Sequence, residues 1–294
     1  MPKNREVKEA LAFMGLTLGL SYCVFWGPLA VFQVPTISFV RSTMGPIWAI
    51  VMFIVGGFVP SLVGVALTWR QEGADGLRRL GRRILRFNLG WRWYLAAVAA
   101  VVVVTMGKLV ILGALGQTFD PILFVTQSGS ILPLLVLGPL SEELGWRGYV
   151  LDRLQTRWNG LVSALIVGLA WGLWHGPLFV MAGTSQHESA VPFAGFVVGM
   201  ILQSVLYTWL HNNTGGSLWT AIFFHWLSTY AMQVVSSGAS RSAPFNWLEN
   251  APLLIVAAGV VLLWGPYRLT GNASSLMAPS HERPSQCNPS SRAT

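Results

Sequence analysis

The sequence predicts an all-α integral membrane protein with about eight transmembrane helices. Its 294 residues are 53% hydrophobic and only 10% charged, and the mean hydropathy is +0.55. An average soluble domain is about 25% charged, so a soluble core does not explain this composition. Eight apolar stretches are long enough for a hydrocarbon layer about 30 Å thick, which takes roughly 17–25 helical residues. They span 10–33, 45–69, 93–115, 130–150, 160–182, 192–211, 217–236 and 250–267.

The basic residues are distributed unevenly around these stretches. If residues 1–9 face the cytoplasm and the spans alternate, the inside segments hold fifteen lysines and arginines, and the outside loops hold only Arg41 and Arg241. This bias predicts a multi-pass protein of the plasma membrane with both termini in the cytoplasm. The net charge of +8 therefore indicates contact with lipid headgroups, and no nucleic-acid partner is expected.

The chain is expected to form one membrane domain with two cytoplasmic ends. Residues 1–9 are the predicted cytoplasmic N-terminus, and residues 10–268 are the predicted polytopic domain. Residues 269–294 are rich in Ser, Pro and Asn, a composition that predicts a disordered cytoplasmic tail.

Five ionisable residues of particular interest lie within three of the apolar stretches. Glu142, Glu143 and Arg147 lie in the fourth, His175 lies in the fifth, and His225 lies in the seventh. A charged group costs roughly 2.5–3.5 kcal/mol at the centre of a membrane helix even on a lenient scale, so such groups are rare unless function retains them. If they meet in one cavity, they satisfy each other's charges and hydrogen bonds.

Helix periodicity separates the two adjacent glutamates. Glu143 and Arg147 are four residues apart and share a helix face, whereas Glu142 is turned about 100° away. Arg147 can therefore neutralise one carboxylate as a structural ion, while the other carboxylate acts as a base. A buried ion pair that only fixes helix packing is the alternative, and it leaves Glu142 unexplained.

The two histidines extend this chemistry. A Glu with a His can bind and deprotonate water, and a second His with a hydroxyl can hold a developing oxyanion. Thr229 follows His225 by one helical turn and supplies such a hydroxyl. The same groups could instead ligate zinc through Glu142, His175 and His225, with a position left for water. Taken singly, each histidine also fits a packing role.

Three ordered motifs resemble those of the CPBP family. This family comprises the type II CAAX prenyl endopeptidases and their bacterial, Abi-like relatives. The resemblance covers roughly residues 45–235, with a motif-bearing core at about 130–235. The motifs are Glu142-Glu143-x-x-x-Arg147, Trp171-x-x-x-His175 and His225-x-x-x-Thr229.

The resemblance implies an intramembrane endopeptidase with a polar catalytic cavity open towards the cytoplasm. Glu142 would activate water together with His175, and Glu143 would brace the site with Arg147. No cofactor is required in this mechanism, and a zinc-dependent mechanism is the alternative. The expected substrate is a membrane-associated or lipidated peptide or protein.

Two positions depart from the family pattern. By resemblance, His225 and the residue at 229 form the oxyanion pocket, but the usual Asn is replaced by Thr229, whose hydroxyl is shorter and has one donor rather than two. The second motif usually begins with Phe, and Trp171 preserves an apolar wall there.

Two other functions compete with the endopeptidase. A catalytically silent membrane immunity or scaffold protein is favoured only by Thr229. A proton-relay transporter is allowed by the intramembrane ionisable groups, but it should show two related halves with broken helices, and the sequence shows no such symmetry.

Overall fold

The structure is a computed structural model that describes residues 2–38, 43–117, 138–188, 191–238 and 247–270. Within these ranges the chain is helical apart from one antiparallel pair of two-residue strands, β1 (Ile37–Ser38) and β2 (Thr43–Met44). This strand pair precedes the second long helix and does not alter the predicted helical class.

Ten α-helices occur in the described ranges. They are α1 (Pro2–Leu20), α2 (Trp26–Val31), α3 (Ile47–Ile84), α4 (Trp91–Ala114), α5 (from residue 138 to Gln155, including a π-helical turn at Trp146–Val150), α6 (Gly160–Trp174), α7 (Ser185–Glu188), α8 (Phe193–Asn213), α9 (Leu218–Gly238) and α10 (Ala251–Trp264). A second π-helical turn, Ser21–Phe25, joins α1 to α2. Short 3₁₀ turns occupy Gly176–Phe179 and Trp247–Asn250.

Four helical stretches of the described chain are long and apolar enough to cross a membrane. They are Asn4–Val31, α3, α4 and α8. Helices α6 and α10 are apolar but have only 15 and 14 residues, and α9 carries polar residues including His225 and Thr229. The described residues do not include the first part of the predicted span 130–150, up to residue 137. They also do not include the predicted tail from residue 271 onwards. The helical membrane architecture is confirmed, and eight crossings stay a prediction.

Helix α6 is shorter than the predicted span 160–182 because the sequence fixes both of its ends. The side-chain oxygen of Asn159 accepts a hydrogen bond from the Val162 backbone N–H at 2.8 Å and caps the first turn. Pro177 lacks a backbone N–H and disfavours the helical conformation in the residue before it. The α-helix therefore ends at Trp174, which places His175 at its carboxyl end.

Glycines bring the helices of the site close together. A Cβ built on Gly168 of α6 would lie 2.6 Å from the Cα of Ile201 in α8. A Cβ on Gly64 of α3 would lie 2.8 Å from the Cα of Gly145 in α5. Small residues permit such close backbone approach between membrane helices, so these contacts fix the positions of α5 and α6 against their neighbours.

Several helix ends meet at one side of the bundle, which we call the basic end and define by Arg83 and Arg153. Arg83, near the end of α3, donates to the carbonyl of Gly216 before α9 at 2.7 Å and pairs with Asp152 in α5 at 2.8 Å. Arg153 in α5 pairs with Glu9 in α1 at 3.1 Å. These contacts place the start of α1, the end of α3, the end of α5 and the start of α9 together.

Two further contacts bring the remaining ends to the same side. The backbone N–H of Gly160, at the start of α6, donates to the carbonyl of Tyr267 after α10 at 2.5 Å. Asn212, near the end of α8, donates to the carbonyl of Arg268 at 2.7 Å. The chain therefore runs alternately away from and towards the basic end through α1, α3, α4, α5, α6, α8, α9 and α10.

Candidate active site

Helix α5 carries the first predicted motif in a fully buried setting. Glu143 and Arg147 are both 0% exposed. The Arg147 Nη1 donates to the two carboxylate oxygens of Glu143 at 3.0 and 3.3 Å. The ion pair that the four-residue spacing predicts is therefore present, one turn apart on the same helix face.

Two aromatic rings enclose the guanidinium of Arg147. Its Cζ lies 4.4 Å from the ring centroid of Trp171 and 3.9 Å from that of Tyr207. The Nε and Nη2 atoms of Arg147 have no hydrogen-bond partner among the described residues. A desolvated cation over an aromatic face gains about 2 kcal/mol or more, so the rings supply part of the stabilisation that water would otherwise provide.

Glu143 also holds the histidine of the third motif. The Nδ1 of His225 in α9 lies 2.8 Å from Glu143 Oε1. We assign the proton to Nδ1, because an ionised carboxylate only accepts hydrogen bonds. Glu143 therefore joins Arg147 and His225, and the second imidazole nitrogen of His225, Nε2, stays free of this bond.

Glu142 and His175 are each hydrogen-bonded to Trp171. The indole N–H of Trp171 donates to Glu142 Oε2 at 2.5 Å, and the Trp171 backbone carbonyl lies 2.9 Å from His175 Nδ1. A carbonyl only accepts, so Nδ1 of His175 carries the proton and Nε2 has the lone pair in the neutral ring. Trp171 thus positions a carboxylate and an imidazole with a free acceptor.

Aromatic side chains close the walls around both histidines. The His175 ring packs edge-on against Trp174 at 4.6 Å and against Phe196 at 5.0 Å between centroids. His225 contacts Trp171 at 5.5 Å and Tyr207 at 5.8 Å. These contacts connect α6, α8 and α9 around the polar cluster.

Five of the six predicted site residues thus form one buried cluster. Trp171 contacts Glu142, His175, Arg147 and His225, and Glu143 completes the set through Arg147 and His225. The sixth, Thr229, is half-buried, and its side chain makes no hydrogen bond with the described part of the chain. Its oxyanion role therefore stays a prediction.

Sequence reasoning missed three polar contributors. The indole N–H of Trp171 is a donor to Glu142, beyond the apolar wall expected from its place in the motif. Tyr207 of α8 packs against the guanidinium of Arg147, and Gln203 of the same helix donates a hydrogen bond to Ser228 of α9. The available signal was a Gln and a Tyr four residues apart within an otherwise apolar span, which places both on one helix face.

The zinc alternative stays a prediction. Among the residues that the structure describes, no three His, Cys, Asp or Glu side chains are grouped so that they could hold a metal ion. His225 directs Nδ1 to Glu143, and the Trp171 indole donates to Glu142, while Nε2 of each histidine is free of these bonds. A chelator experiment therefore tests the zinc alternative.

Comparison with known proteins agrees with the motif resemblance. Residues 123–231 match the family model described as type II CAAX prenyl endopeptidase Rce1-like. A curated relative, CAAX prenyl protease 2 of Methanococcus maripaludis, is 30% identical over 143 residues, which cover 47% of this chain and 51% of the relative. The chain thus spans about half the length of the curated relative that it matches. All six predicted site residues lie within 123–231.

Proposed function

We propose that this protein is an intramembrane endopeptidase of the type II CAAX prenyl endopeptidase family, whose family model matches residues 123–231. It hydrolyses a peptide bond in a membrane-associated or lipidated peptide or protein. The observation that carries the proposal is the pair of hydrogen bonds by which Trp171 holds two buried side chains, Glu142 and His175.

Glu142 and His175 activate the water in this mechanism. The Glu142 carboxylate accepts one proton of the water, and the Nε2 lone pair of His175 accepts a hydrogen bond from the other. The water oxygen then attacks the scissile carbonyl, and Glu142 passes its proton to the leaving amine. General-base catalysis of this kind contributes about 10²–10⁴-fold to the rate. The favoured mechanism requires no cofactor, and a chelator tests this point.

His225 and Thr229 stabilise the negative oxygen of the tetrahedral intermediate. Glu143 accepts from Nδ1 of His225, so a protonated ring would present Nε2–H to the oxyanion. Two carboxylates, Arg147 and a protonated His225 together give a neutral set of charges, which suits a water-excluded site. Thr229 adds a hydroxyl one turn further along α9.

The proposed topology is eight membrane crossings with both termini in the cytoplasm of a plasma-membrane protein. Its support is the alternation of eight helices about the basic end, where Arg83 and Arg153 lie. Arginines at that end suit an anionic inner leaflet, so lipid headgroups are the proposed partners. Residues 269–294 then form a cytoplasmic tail.

A cleavage assay with purified protein tests the function. The wild type, Glu142→Gln and the control Glu6→Gln would be given a quenched-fluorescent farnesylated peptide ending in a CAAX sequence, and the same peptide without the lipid. Glu6 is a carboxylate at the basic end, outside the cluster. We expect cleavage by the wild type and Glu6→Gln, none by Glu142→Gln, and no loss with a zinc chelator.

The other outcomes are equally informative. Equal cleavage by the wild type and Glu142→Gln would remove Glu142 from the mechanism. Inhibition by the chelator with recovery on added zinc would favour the metal-dependent alternative. Binding of the farnesylated peptide without cleavage would favour the silent scaffold, the alternative that Thr229 in place of the usual Asn favours.

A further inference from the structure

A side-chain amide lies beside the end of the third motif. The Nε2 of Gln203 in α8 donates to the Ser228 hydroxyl at 2.8 Å. Ser228 immediately precedes Thr229 and donates to the carbonyl of His225 at 3.1 Å. Gln203 is therefore attached to the same turn of α9 that carries the predicted oxyanion donors.

Helix geometry places Gln203 on the face of α8 that lines the site. At about 100° per residue, Phe196, Gln203 and Tyr207 lie within about 40° of each other. Phe196 packs against the His175 ring at 5.0 Å. Tyr207 packs against the His225 ring at 5.8 Å and the Arg147 guanidinium at 3.9 Å. Along α8, Gln203 thus lies between Phe196, which contacts His175, and Tyr207, which contacts His225.

The amide also has donor capacity to spare. Its NH₂ group carries two hydrogens, and one N–H to Ser228 leaves the other for a ligand. Gln203 is half-buried, so its amide is partly shielded from bulk water. Thr229, by contrast, offers a single hydroxyl donor.

We propose that Gln203 is a catalytic residue whose side-chain N–H donates, with His225, to the oxyanion formed on the scissile carbonyl. This inference rests on the proposed endopeptidase function and extends its site. The amide supplies the second donor that the short side chain at 229 does not provide. Ser228 orients the amide by accepting one of its hydrogens.

The test is a set of four variants in the farnesylated-peptide assay. They are Gln203→Met, Thr229→Asn, the double variant and the control Gln155→Met. Methionine keeps the length of glutamine and removes the donor. Gln155 exchanges amide hydrogen bonds with Asn212 at the basic end, so its variant reports the general cost of losing a glutamine amide.

We expect Gln203→Met to lower kcat about 10²–10³-fold with little change in KM, because the lost donor acts on the transition state. Gln155→Met should keep the activity of the wild type. Thr229→Asn in the Gln203→Met background should raise kcat at least about tenfold, since it returns an amide to the pocket.

Each contrary result has a definite meaning. Loss of activity without rescue by Thr229→Asn would assign Gln203 to packing between α8 and α9 and overturn the inference. Retained activity in Gln203→Met, with none in Glu142→Gln, would overturn it while the proposed function stands. Equal cleavage by the wild type and Glu142→Gln would instead overturn the proposed function, and this inference with it.

Discussion

Trp171 and Glu142, on two different helices, are joined by a hydrogen bond of 2.5 Å from the indole N–H to the carboxylate. The backbone carbonyl of the same tryptophan accepts from His175. One residue therefore sets the separation of the proposed base and its partner histidine. A substitution at 171 keeps the backbone carbonyl that accepts from His175, whereas the hydrogen bond to Glu142 requires the tryptophan indole.

Trp171→Phe is therefore expected to lower kcat about 10- to 100-fold. A hydrogen bond to a charged group is worth about 1.5–3 kcal/mol, and its loss frees the Glu142 carboxylate to rotate. The measurement is steady-state cleavage of the farnesylated peptide. Trp209→Phe is the matched control, because the Trp209 indole is buried without a hydrogen-bond partner in the described chain. Equal effects of the two changes would contradict a specific role for the bond to Glu142.

Removal of Arg147 alone should destabilise the protein more than removal of the whole ion pair. Arg147→Met leaves Glu143 buried without its main counter-charge, which costs about 3–5 kcal/mol. The double variant Glu143→Gln/Arg147→Met removes both charges and should recover part of the loss. The check is the midpoint of thermal unfolding in detergent. A double variant as unstable as Arg147→Met would show that the stacking on Trp171 and Tyr207, and not the charge balance, dominates.

Thr229→Asn in the otherwise native chain should preserve or raise turnover. An amide is longer than a hydroxyl and has two donors, so it strengthens a pocket that Gln203 already serves. Thr229→Val is the contrasting change. It keeps the shape of the side chain and should lower kcat about two- to tenfold, the value of one neutral hydrogen bond. A large loss of kcat in Thr229→Asn would remove residue 229 from the oxyanion role.

The stability of the protein should depend on pH through Asp152 at the basic end. Burial raises the pKa of this carboxyl, but the hydrogen bond and charge of His211, together with Arg83, outweigh burial and hold the pKa below its usual value. A lowered pKa in the folded state contributes stability above the unfolded value, and that contribution is lost as the pH falls through the folded value.

Asp152→Asn is accordingly expected to lower the unfolding midpoint at pH 7, with the difference from the wild type shrinking below about pH 4. Asp75→Asn is the control, because Asp75 pairs with Arg78 on an exposed surface. A difference that stays constant down to about pH 3 would show that Asp152 acts without its charge.

Much of the site follows from spacing within single helices. Glu143 and Arg147 pair because residues four apart share a helix face, and the orthogonal direction of Glu142 follows from the same geometry. The end of α6 at Trp174 follows from Pro177, although the apolar run to 182 suggested a longer span. Hydropathy measures the composition of a stretch, whereas the helix end depends on one missing backbone donor.

Residue spacing along the sequence does not predict the contacts between helices. The bond from His225 to Glu143 joins α9 to α5, and the bond from Gln203 to Ser228 joins α8 to α9. Neither pair is marked by any local pattern, because the rotation and depth of each helix depend on close packing at glycines such as Gly168. The tertiary structure therefore reassigned Trp171 from an apolar wall to a hydrogen-bond donor.

The amino-acid sequence alone was enough to predict the membrane class, the helical architecture and the five ionisable residues that meet in the cluster. It could do so because charged side chains in apolar helices are too costly to be retained unless they are paired. The packing of the helices determines the partners of each group, which nitrogen of each histidine is free, and which aromatic rings enclose Arg147. The physical reason is that hydrogen bonds act over about 3 Å, a distance fixed by the packing of helices and not by their order in the chain.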